Sequence, residues 1–310
     1  MKFLFTLATA KPSGAPKVSP LVKQERRAAL WFLLPGVVLF LIFTVIPVLA
    51  SFVISFTNWD LFSRPSFVGL DNFVKLFGDD IFRLVTRNTV VFVCGTVVVQ
   101  MAIALGLAML LNNRIQGQSF FRTVYFLPVV SPSVAVALIW AWIFNENFGL
   151  LNSVLSAVGV QSLPKWLSSS QWALPALMIV SIWQSTGYSM VLFLAGLQGI
   201  SQDIYDAGAV EGAVGWKKFR YITFPLLSPT TFFVMVISLI GSFQVFELAF
   251  VMTDGGPSNA TNTLVFYIYQ NAFRFYRMGY AAAAAWLLFL VLFTLTVIQY
   301  RLQNRWVHYD

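Results

Sequence analysis

Two residue types that often build active sites are almost missing from this chain of 310 residues, which has one cysteine, Cys94, and one histidine, His308. A single cysteine cannot form a disulfide within the chain. So few His and Cys residues also argue against a metal site built from them. A Ser–His hydrolase is disfavoured because the one histidine lies beside the C-terminus.

Charge is scarce as well. Only 10% of the residues are charged, whereas soluble domains have about 25%. Hydrophobic residues make up 58%, the mean hydropathy is +0.76, and apolar runs longer than about 18 residues recur. The net charge of +8 does not indicate nucleic-acid binding, because the basic residues lie mainly in the N-terminal tail and in short loops. This composition predicts an all-α membrane protein in contact with lipid.

A phosphate-binding loop is also absent. Such a loop requires Gly followed by Lys, and no glycine in this chain is followed by lysine. If the protein transports a solute actively, another chain must therefore supply the energy. We expect no cofactor in this chain.

Six segments reach the length of about 20 apolar residues that crosses a bilayer as a helix. They are 30–55, 88–111, 123–144, 172–197, 226–252 and 279–300. Most of the 20 Lys and Arg residues lie in the two terminal segments and in the second and fourth connections between the spans. Basic residues are enriched on the cytoplasmic side of a membrane, so both termini are predicted to be cytoplasmic. Residues 1–27 are predicted to form a disordered cytoplasmic tail ahead of a transmembrane domain at 28–310.

A polar segment at 200–229 separates the fourth and fifth predicted spans and faces the cytoplasm in this topology. Ser201 is a suitable N-cap for a short helix that runs to about residue 213. One face of that helix carries Ala207, Gly208, Glu211 and Gly212. Glycine destabilises a helix interior by roughly 1 kcal/mol relative to alanine, so two of them indicate a close packing contact.

The second half of this segment predicts another short element. Gly215 ends the first helix, and Ile222 lies on a face that can pack inward. Pro225 suits the start of the next helix, where a missing N–H costs little. The segment is therefore predicted to be a helix–turn–helix across the base of spans four and five.

The spacing within this segment resembles the EAA loop of ABC importer permease subunits. The matching residues are Asp206, Ala207, Gly208, Gly212, Ile222 and Pro225. The family pattern is Glu-Ala-Ala-x3-Gly-x9-Ile-x-Leu-Pro, and this chain departs from it with Asp206, Gly208 and Phe224. A second stretch, Thr-Asp-Gly-Gly-Pro at 253–257 followed by TNTLVFYIYQNAF, resembles the sugar permeases of carbohydrate uptake group 1, which include maltose, lactose and glycerol-3-phosphate systems.

The resemblance extends from residue 28 to the C-terminus, and it implies a type I ABC importer permease fold in a bacterial or archaeal cell (inner) membrane. It implies a transport subunit, not an enzyme. Its partners would be a second permease subunit, usually a different homologous chain, a dimer of ATPase subunits that binds ATP and Mg²⁺, and an extracytoplasmic sugar-binding protein. Carried over to this chain, Asp206, Ala207 and Gly208 would contact the ATPase through the coupling loop 200–225, and Gly212 would form a turn or a close approach.

A few polar and aromatic residues inside the predicted spans are candidates for a sugar path. Glu247 is the one carboxylate deep in an apolar span, and Gln244 lies three residues before it. Gln184 and Tyr188 share a helix face in span four, and Phe243 offers a ring for stacking. The alternatives are a Glu247 solvated near the outer interface, a Gln184–Tyr188 pair that links helices, and a Phe243 that only packs.

A secondary transporter and an intramembrane enzyme are two alternatives to an ABC importer subunit. A secondary transporter would need an ion site, for which only Glu247 offers an in-membrane carboxylate, and an intramembrane aspartyl enzyme would need two. Gln100 in span two is predicted to link helices. Peptide and metal permeases also carry an EAA loop, so the choice of a sugar rests on the second motif.

Overall fold

The computed structural model describes residues 20–113 and 116–307, and this part of the chain is almost entirely helical. The α-helices are α1 (Pro20–Phe40), α2 (Ile46–Ser55), α3 (Asp71–Gly78), α4 (Asp80–Leu111), α5 (Gln118–Val130), α6 (Ser133–Ile143), α7 (Leu150–Ala157), α8 (Ala173–Gln198), α9 (Gln202–Val210), α10 (Trp216–Lys218), α11 (Phe224–Leu226), α12 (Ser228–Phe243), α13 (Leu264–Tyr269) and α14 (Met278–Gln303). Four π-helical turns join or extend them, at Leu41–Val45, Phe219–Thr223, Ala249–Thr253 and Gln270–Arg274. Two short strands, β1 (Thr57–Asn58) and β2 (Ser66–Phe67), pair antiparallel.

Within the described residues, four helices are long and apolar enough to cross a membrane. They are Arg27–Ser55, Asp80–Leu111, Ala173–Gln198 and Met278–Gln303. Two bent helix pairs bring the number to six if each pair counts as one span. The all-α class is confirmed, and the six candidate spans match the six that the apolar runs predict.

The third predicted span, 123–144, is wrong as a single helix. The chain bends by 99° between α5 and α6. Ser131 is extended, with ψ 136°, and Pro132 follows it. Proline disfavours the helical conformation of the residue before it, so the helix stops here and a new one starts at Ser133.

The fifth predicted span, 226–252, is also interrupted. Helix α12 ends at Phe243, residues 244–246 are not helical, and a helical segment resumes at Glu247. The sequence between Ser242 and Thr253 contains no Pro or Gly that would break a helix. A second bend, of 68°, separates Trp216–Leu226 from α12.

The remaining boundaries differ less. The first helix begins at Pro20, within the segment that the sequence analysis assigned to the tail. The rest of that tail, residues 1–19, and also His308 lie outside the described residues. Helix α4 starts at Asp80, earlier than the predicted span at 88, and α13 is a further short helix before the last span.

Three buried apolar clusters hold α4, α8 and α12 together with the segments beside them. In one of them, Ala104 and Ala108 of α4 pack with Met190 and Phe193 of α8 and Val234 of α12. Small residues on one helix let large side chains of its neighbours approach closely, as membrane helix interfaces require. Helices α9 to α11 connect α8 to α12, so the coupling loop joins two helices of this core.

Candidate functional site

A cavity of about 350 Å³ lies among α4, α8, α12 and the bend between α5 and α6. Helix α8 contributes one polar stripe to its wall. The stripe consists of Ser181, Gln184, Ser185, Tyr188 and Ser189. Their spacing places them on one helix face. The two predicted residues Gln184 and Tyr188 thus lie in the cavity, and the three serines between and beside them were missed, although their i, i+4 spacing in an apolar span was a usable signal.

The interruption after α12 brings the other two predicted polar residues to the same cavity. Gln244 and Glu247 both line it and are exposed. Within the described residues, neither side chain makes a hydrogen bond. Phe243 was expected beside them, but it is only 5% exposed and packs in an apolar cluster with Leu76 and Leu264. Phe243 therefore lies in the apolar core and not among the residues that line this cavity, which corresponds to the packing role given above as its alternative.

Gln100 links the three helices behind the cavity. Its side chain is 4% exposed and lines the cavity wall. The amide Nε2 donates to Ser189 Oγ at 2.8 Å and to Ser238 Oγ at 3.4 Å. These bonds tie α4 to both α8 and α12, in agreement with the interpretation of Gln100 as a residue that links helices.

The second sequence motif holds the interrupted segment in place. The Thr263 hydroxyl donates to the carbonyl of Val245 at 3.0 Å, which pairs a backbone oxygen that the broken helix leaves open. Asn88 of α4 donates from Nδ2 to the carbonyl of Asn262 at 3.1 Å. The loop at 253–263 is therefore tied both to the interrupted segment and to α4, and it satisfies a backbone carbonyl that the break leaves without a helical partner.

An ion pair closes the same loop against α13. Both guanidinium NH groups of Arg274 donate to Asp254, at 2.9 and 2.6 Å. The hydrogen bond to Asp254 raises the pKa of Arg274 above its usual value. The guanidinium also lies over the rings of Phe250, Phe266 and Tyr269. Arg274 is thus engaged by its own chain.

The coupling loop has the predicted helix, α9. Its N-cap is Ser201, whose hydroxyl accepts from the N–H of Asp203 at 3.2 Å. Tyr205 is 9% exposed and anchors the helix, since Lys218 Nζ lies 4.1 Å from the centre of its ring and Thr223 Oγ1 donates to its hydroxyl at 3.4 Å. These contacts fasten α9 to the segment formed by α10, the π turn and α11.

The two glycines of α9 serve different purposes. A Cβ on Gly208 would lie 2.2 Å from Cδ1 of Ile222, so the absent side chain makes room for that isoleucine. Gly212 has φ +81° and open space around it, and it ends the helix. Its N–H donates to the carbonyl of Ala209, and the next N–H donates to that of Gly208, which is a Schellman C-cap.

The predicted docking face therefore needs a correction. Gly208 is buried against its own chain and does not offer a surface to another protein. Asp206, Ala207 and Glu211 are exposed, as is Gly212, whereas Ile222 and Pro225 are half-buried. Large apolar side chains flank this face, with Val210 91% and Trp216 73% exposed. Exposed apolar groups of this size are typical of surfaces that contact other proteins or the membrane.

A second polar cluster, which was not predicted, surrounds Asp79. Its Oδ2 accepts from the hydroxyls of Tyr267 and Tyr280, each at 2.7 Å. Its Oδ1 accepts from the N–H groups of Ile81 and Phe82, so that Asp79 caps α4. Burial alone would raise the pKa of Asp79, but these hydrogen bonds outweigh it and the pKa lies below its usual value.

The described residues contain no group of three or more His, Cys, Asp or Glu side chains placed to hold a metal ion.

Comparison with known proteins gives the family. Residues 100–309 match the family described as "Binding-protein-dependent transport system inner membrane component". The probable ABC transporter permease protein YesP of Bacillus subtilis is 37% identical, over 97% of this chain and 98% of its own length. The chain belongs to this family. Members are transport subunits, which confirms the expectation that this chain is not an enzyme.

The lactose transport system permease protein LacF of Rhizobium radiobacter is also similar to this chain. The two are 35% identical over 87% of this chain and 91% of LacF. Among solved structures, a chain of a bacterial ABC transporter that imports the acidic polysaccharide alginate superposes with a TM-score of 0.80, with 24% identity, over 93% of this chain and 99% of that chain. This similarity confirms the type I importer permease fold. The chain is thus a multi-pass membrane subunit of a binding-protein-dependent ABC importer.

Proposed function

We propose that this family member forms half of the translocation path for a sugar or oligosaccharide, and that the polar cavity on α8 and α12 is where the sugar meets it. The observation that carries the proposal is the convergence of Gln184, Tyr188, Gln244 and Glu247 on one cavity in a chain that is 58% hydrophobic. Hydroxyl, amide and carboxylate groups are the partners that sugar hydroxyls need. The lactose permease among the relatives supports the choice of substrate class.

The energy comes from a separate ATPase dimer that binds ATP and Mg²⁺ and grips the coupling loop 200–225. Support comes from the exposed face of α9 and the apolar side chains beside it. Because this loop joins α8 to α12, a push on the loop would move two walls of the cavity directly. A second permease subunit, different from this chain but homologous, supplies the other half of the path, and an extracytoplasmic binding protein delivers the sugar. The setting is the cell membrane of a bacterium or archaeon.

Coupling is tested with the complete transporter in cells. Ala207→Trp places a large ring on the exposed side of α9 without touching the Gly208–Ile222 contact, and uptake should fall by more than tenfold while the amount of protein in the membrane stays the same. Ala157→Trp, at an exposed position in the predicted outer segment, is the matched control and should leave uptake within about twofold. Equal uptake by the two variants would contradict the proposed docking face.

The contact itself is tested by crosslinking. Replacing Cys94 with serine leaves a chain without cysteine, into which single cysteines can be placed from 203 to 213. Positions 206, 207 and 211 should crosslink to the ATPase, and the buried position 208 should not. If no position in this range forms a crosslink, the coupling role of the loop is wrong.

A further inference from the structure

The charges of the side chains that line the cavity bear on whether the transported sugar is neutral or anionic. Building on the proposed function, we propose that this chain accepts neutral sugars and disfavours anionic ones, such as uronic acids and sugar phosphates, and that Glu247 is the residue that discriminates. The fold leaves this question open, because an alginate transporter with the same fold imports an acidic polysaccharide.

The first argument is the composition of the wall. Of the described residues, none that lines the cavity is Lys, Arg or His, and the one carboxylate there is that of Glu247. The other polar groups are amides and hydroxyls, for example Gln184, Gln244 and Ser185. These groups pair well with sugar hydroxyls, but none brings the positive charge that a buried carboxylate or phosphate requires.

The second argument is that the carboxylate of Glu247 has no cationic partner, in contrast to three carboxylates that form ion pairs. Asp254 is paired with Arg274 at 2.6 Å, Asp71 with Lys75 at 2.7 Å, and Asp80 with Arg83 at 3.2 Å. Glu247 has no such cation within the described part of the chain, so its negative charge acts on whatever enters the cavity. This carboxylate can accept hydrogen bonds from a neutral sugar, whereas it repels a second anion.

The magnitude of this repulsion decides whether Glu247 can discriminate between anionic and neutral sugars. Two like charges about 7 Å apart at the effective dielectric constant of a partly solvated protein site change a binding constant by about tenfold or more. The missing counter-charge adds a desolvation penalty for the anion in the same direction. Neither the charge repulsion nor the desolvation penalty acts on a neutral sugar. The residues of the cavity wall are therefore enough to favour a neutral sugar over an anionic one.

The test uses sugars that differ only in charge. The complete transporter, purified through a tag on this chain with its partner subunits and placed in lipid nanodiscs without binding protein, is titrated with two matched pairs, galactobiose against digalacturonate and cellobiose against cellobiuronate. Saturation-transfer NMR measures each dissociation constant. We expect the neutral member of a pair to bind about tenfold more tightly, or better.

Variants assign the effect to Glu247. In Glu247→Gln the ratio of anionic to neutral affinity should rise severalfold, whatever happens to each affinity alone, and Glu247→Asp should keep the wild-type ratio. Gln184→Lys, which adds a cation to the opposite wall, should raise the same ratio further. Asp80→Asn removes a carboxylate that is outside the cavity and should not change it.

The outcomes separate this inference from the proposed function. If both members of each pair bind equally to the wild type, or if Glu247→Gln leaves the ratio unchanged, selection by charge is overturned while the role in sugar transport stands. If no sugar binds and no uptake of sugar depends on this chain in cells, both are overturned.

Discussion

The cluster around Asp79 and the polar cavity differ in how far their side chains are hydrogen-bonded within the chain. Around Asp79 the carboxylate receives four hydrogen bonds, two from tyrosine hydroxyls and two from backbone N–H groups. In the cavity, the side chains of Gln244 and Glu247 have no hydrogen-bond partner among the described residues, and Gln184 reaches the carbonyl of Ser131 only at 3.5 Å. In the first, the closed site, the polar groups pair with one another; in the second, the open site, Gln244 and Glu247 keep their hydrogen-bonding capacity free.

The difference separates a structural cluster from a binding site. A polar group that is buried and paired contributes to folding, and its removal leaves its partners unpaired at a cost of about 1–3 kcal/mol. A polar group that faces a cavity without a partner adds little to folding, because water satisfies it, and it is available to a ligand. Substitutions in the closed site should therefore change stability, and substitutions in the open site should change transport.

The largest effect should come from the open site. Replacing both Gln184 and Glu247 with leucine removes two groups that we propose hydrogen-bond the sugar, and uptake at low sugar concentration should fall by about 100-fold, since a hydrogen bond to a charged group is worth about 1.5–3 kcal/mol. The amount of protein in the membrane and its resistance to unfolding by SDS should not change. Uptake of radiolabelled sugar in cells measures the first and an SDS titration the second.

Asp80→Leu, which removes an exposed carboxylate that is 91% accessible, is the control for this double variant. It should transport sugar within about twofold of the wild type. If the double variant transports as well as this control, the cavity is not the sugar path.

The next largest effect should come from the closed site. Asp79→Ala removes the N-cap of α4 and leaves the hydroxyls of Tyr267 and Tyr280 without their acceptor, so the free energy of unfolding should fall by about 1–3 kcal/mol. SDS titration of the purified protein measures it. Asp60→Ala removes an exposed loop carboxylate that accepts only from the local Ser63 and Phe62, and it should cost less. A loss of transport without a loss of stability in Asp79→Ala would break the distinction between the two sites.

Gln100 lines the cavity, but its side chain is paired like the groups around Asp79, and its replacement should show a smaller effect. Gln100→Leu removes the donor to Ser189 and Ser238, and the free energy of unfolding should fall by about 0.6–2 kcal/mol, the range for hydrogen bonds between membrane helices. Transport should fall only as far as α4, α8 and α12 shift. Val98→Leu, an exposed change on the same helix, controls for substitution in α4. If Gln100→Leu reduces uptake as strongly as the double cavity variant, Gln100 contacts the sugar.

Much of this arrangement could be predicted from the sequence. The apolar runs predicted the candidate spans, and Ser201 predicted the start of α9. The polar residues Gln184, Tyr188, Gln244 and Glu247 were found because ionisable and amide groups are rare in such segments. These predictions rest on local composition, which a single sequence contains.

The rest depends on contacts between distant residues. The break at 244–246 has no local Pro or Gly to mark it, and the carbonyl of Val245 is paired there by the hydroxyl of Thr263, 18 residues away. Phe243 packs with Leu76 and Leu264, which are also distant in the sequence. Gly208 was predicted to admit a close neighbour, but its spacing does not say that the neighbour is Ile222 of the same chain. The cluster joins Asp79 to tyrosines that lie 188 and 201 positions later, and no pattern in the sequence connects them.

The smallest expected effect is a dependence of stability on pH at the closed site. The hydrogen bonds lower the pKa of Asp79 in the folded protein relative to the usual value of about 3.9. The stability that this carboxylate contributes is therefore fully present above about pH 4 and is lost as the pH falls through the lower folded pKa. The difference in unfolding free energy between the wild type and Asp79→Asn should be constant from pH 7 to about pH 5 and should shrink below about pH 4. Tyr267→Phe removes one of the donors and so raises the folded pKa of Asp79 toward its unfolded value; in that background the decrease should be smaller and should end at a higher pH, while its onset stays the same. Since an exposed carboxylate would show neither behaviour relative to its own Asn variant, a flat difference down to pH 3 would mean that Asp79 is not held by these hydrogen bonds.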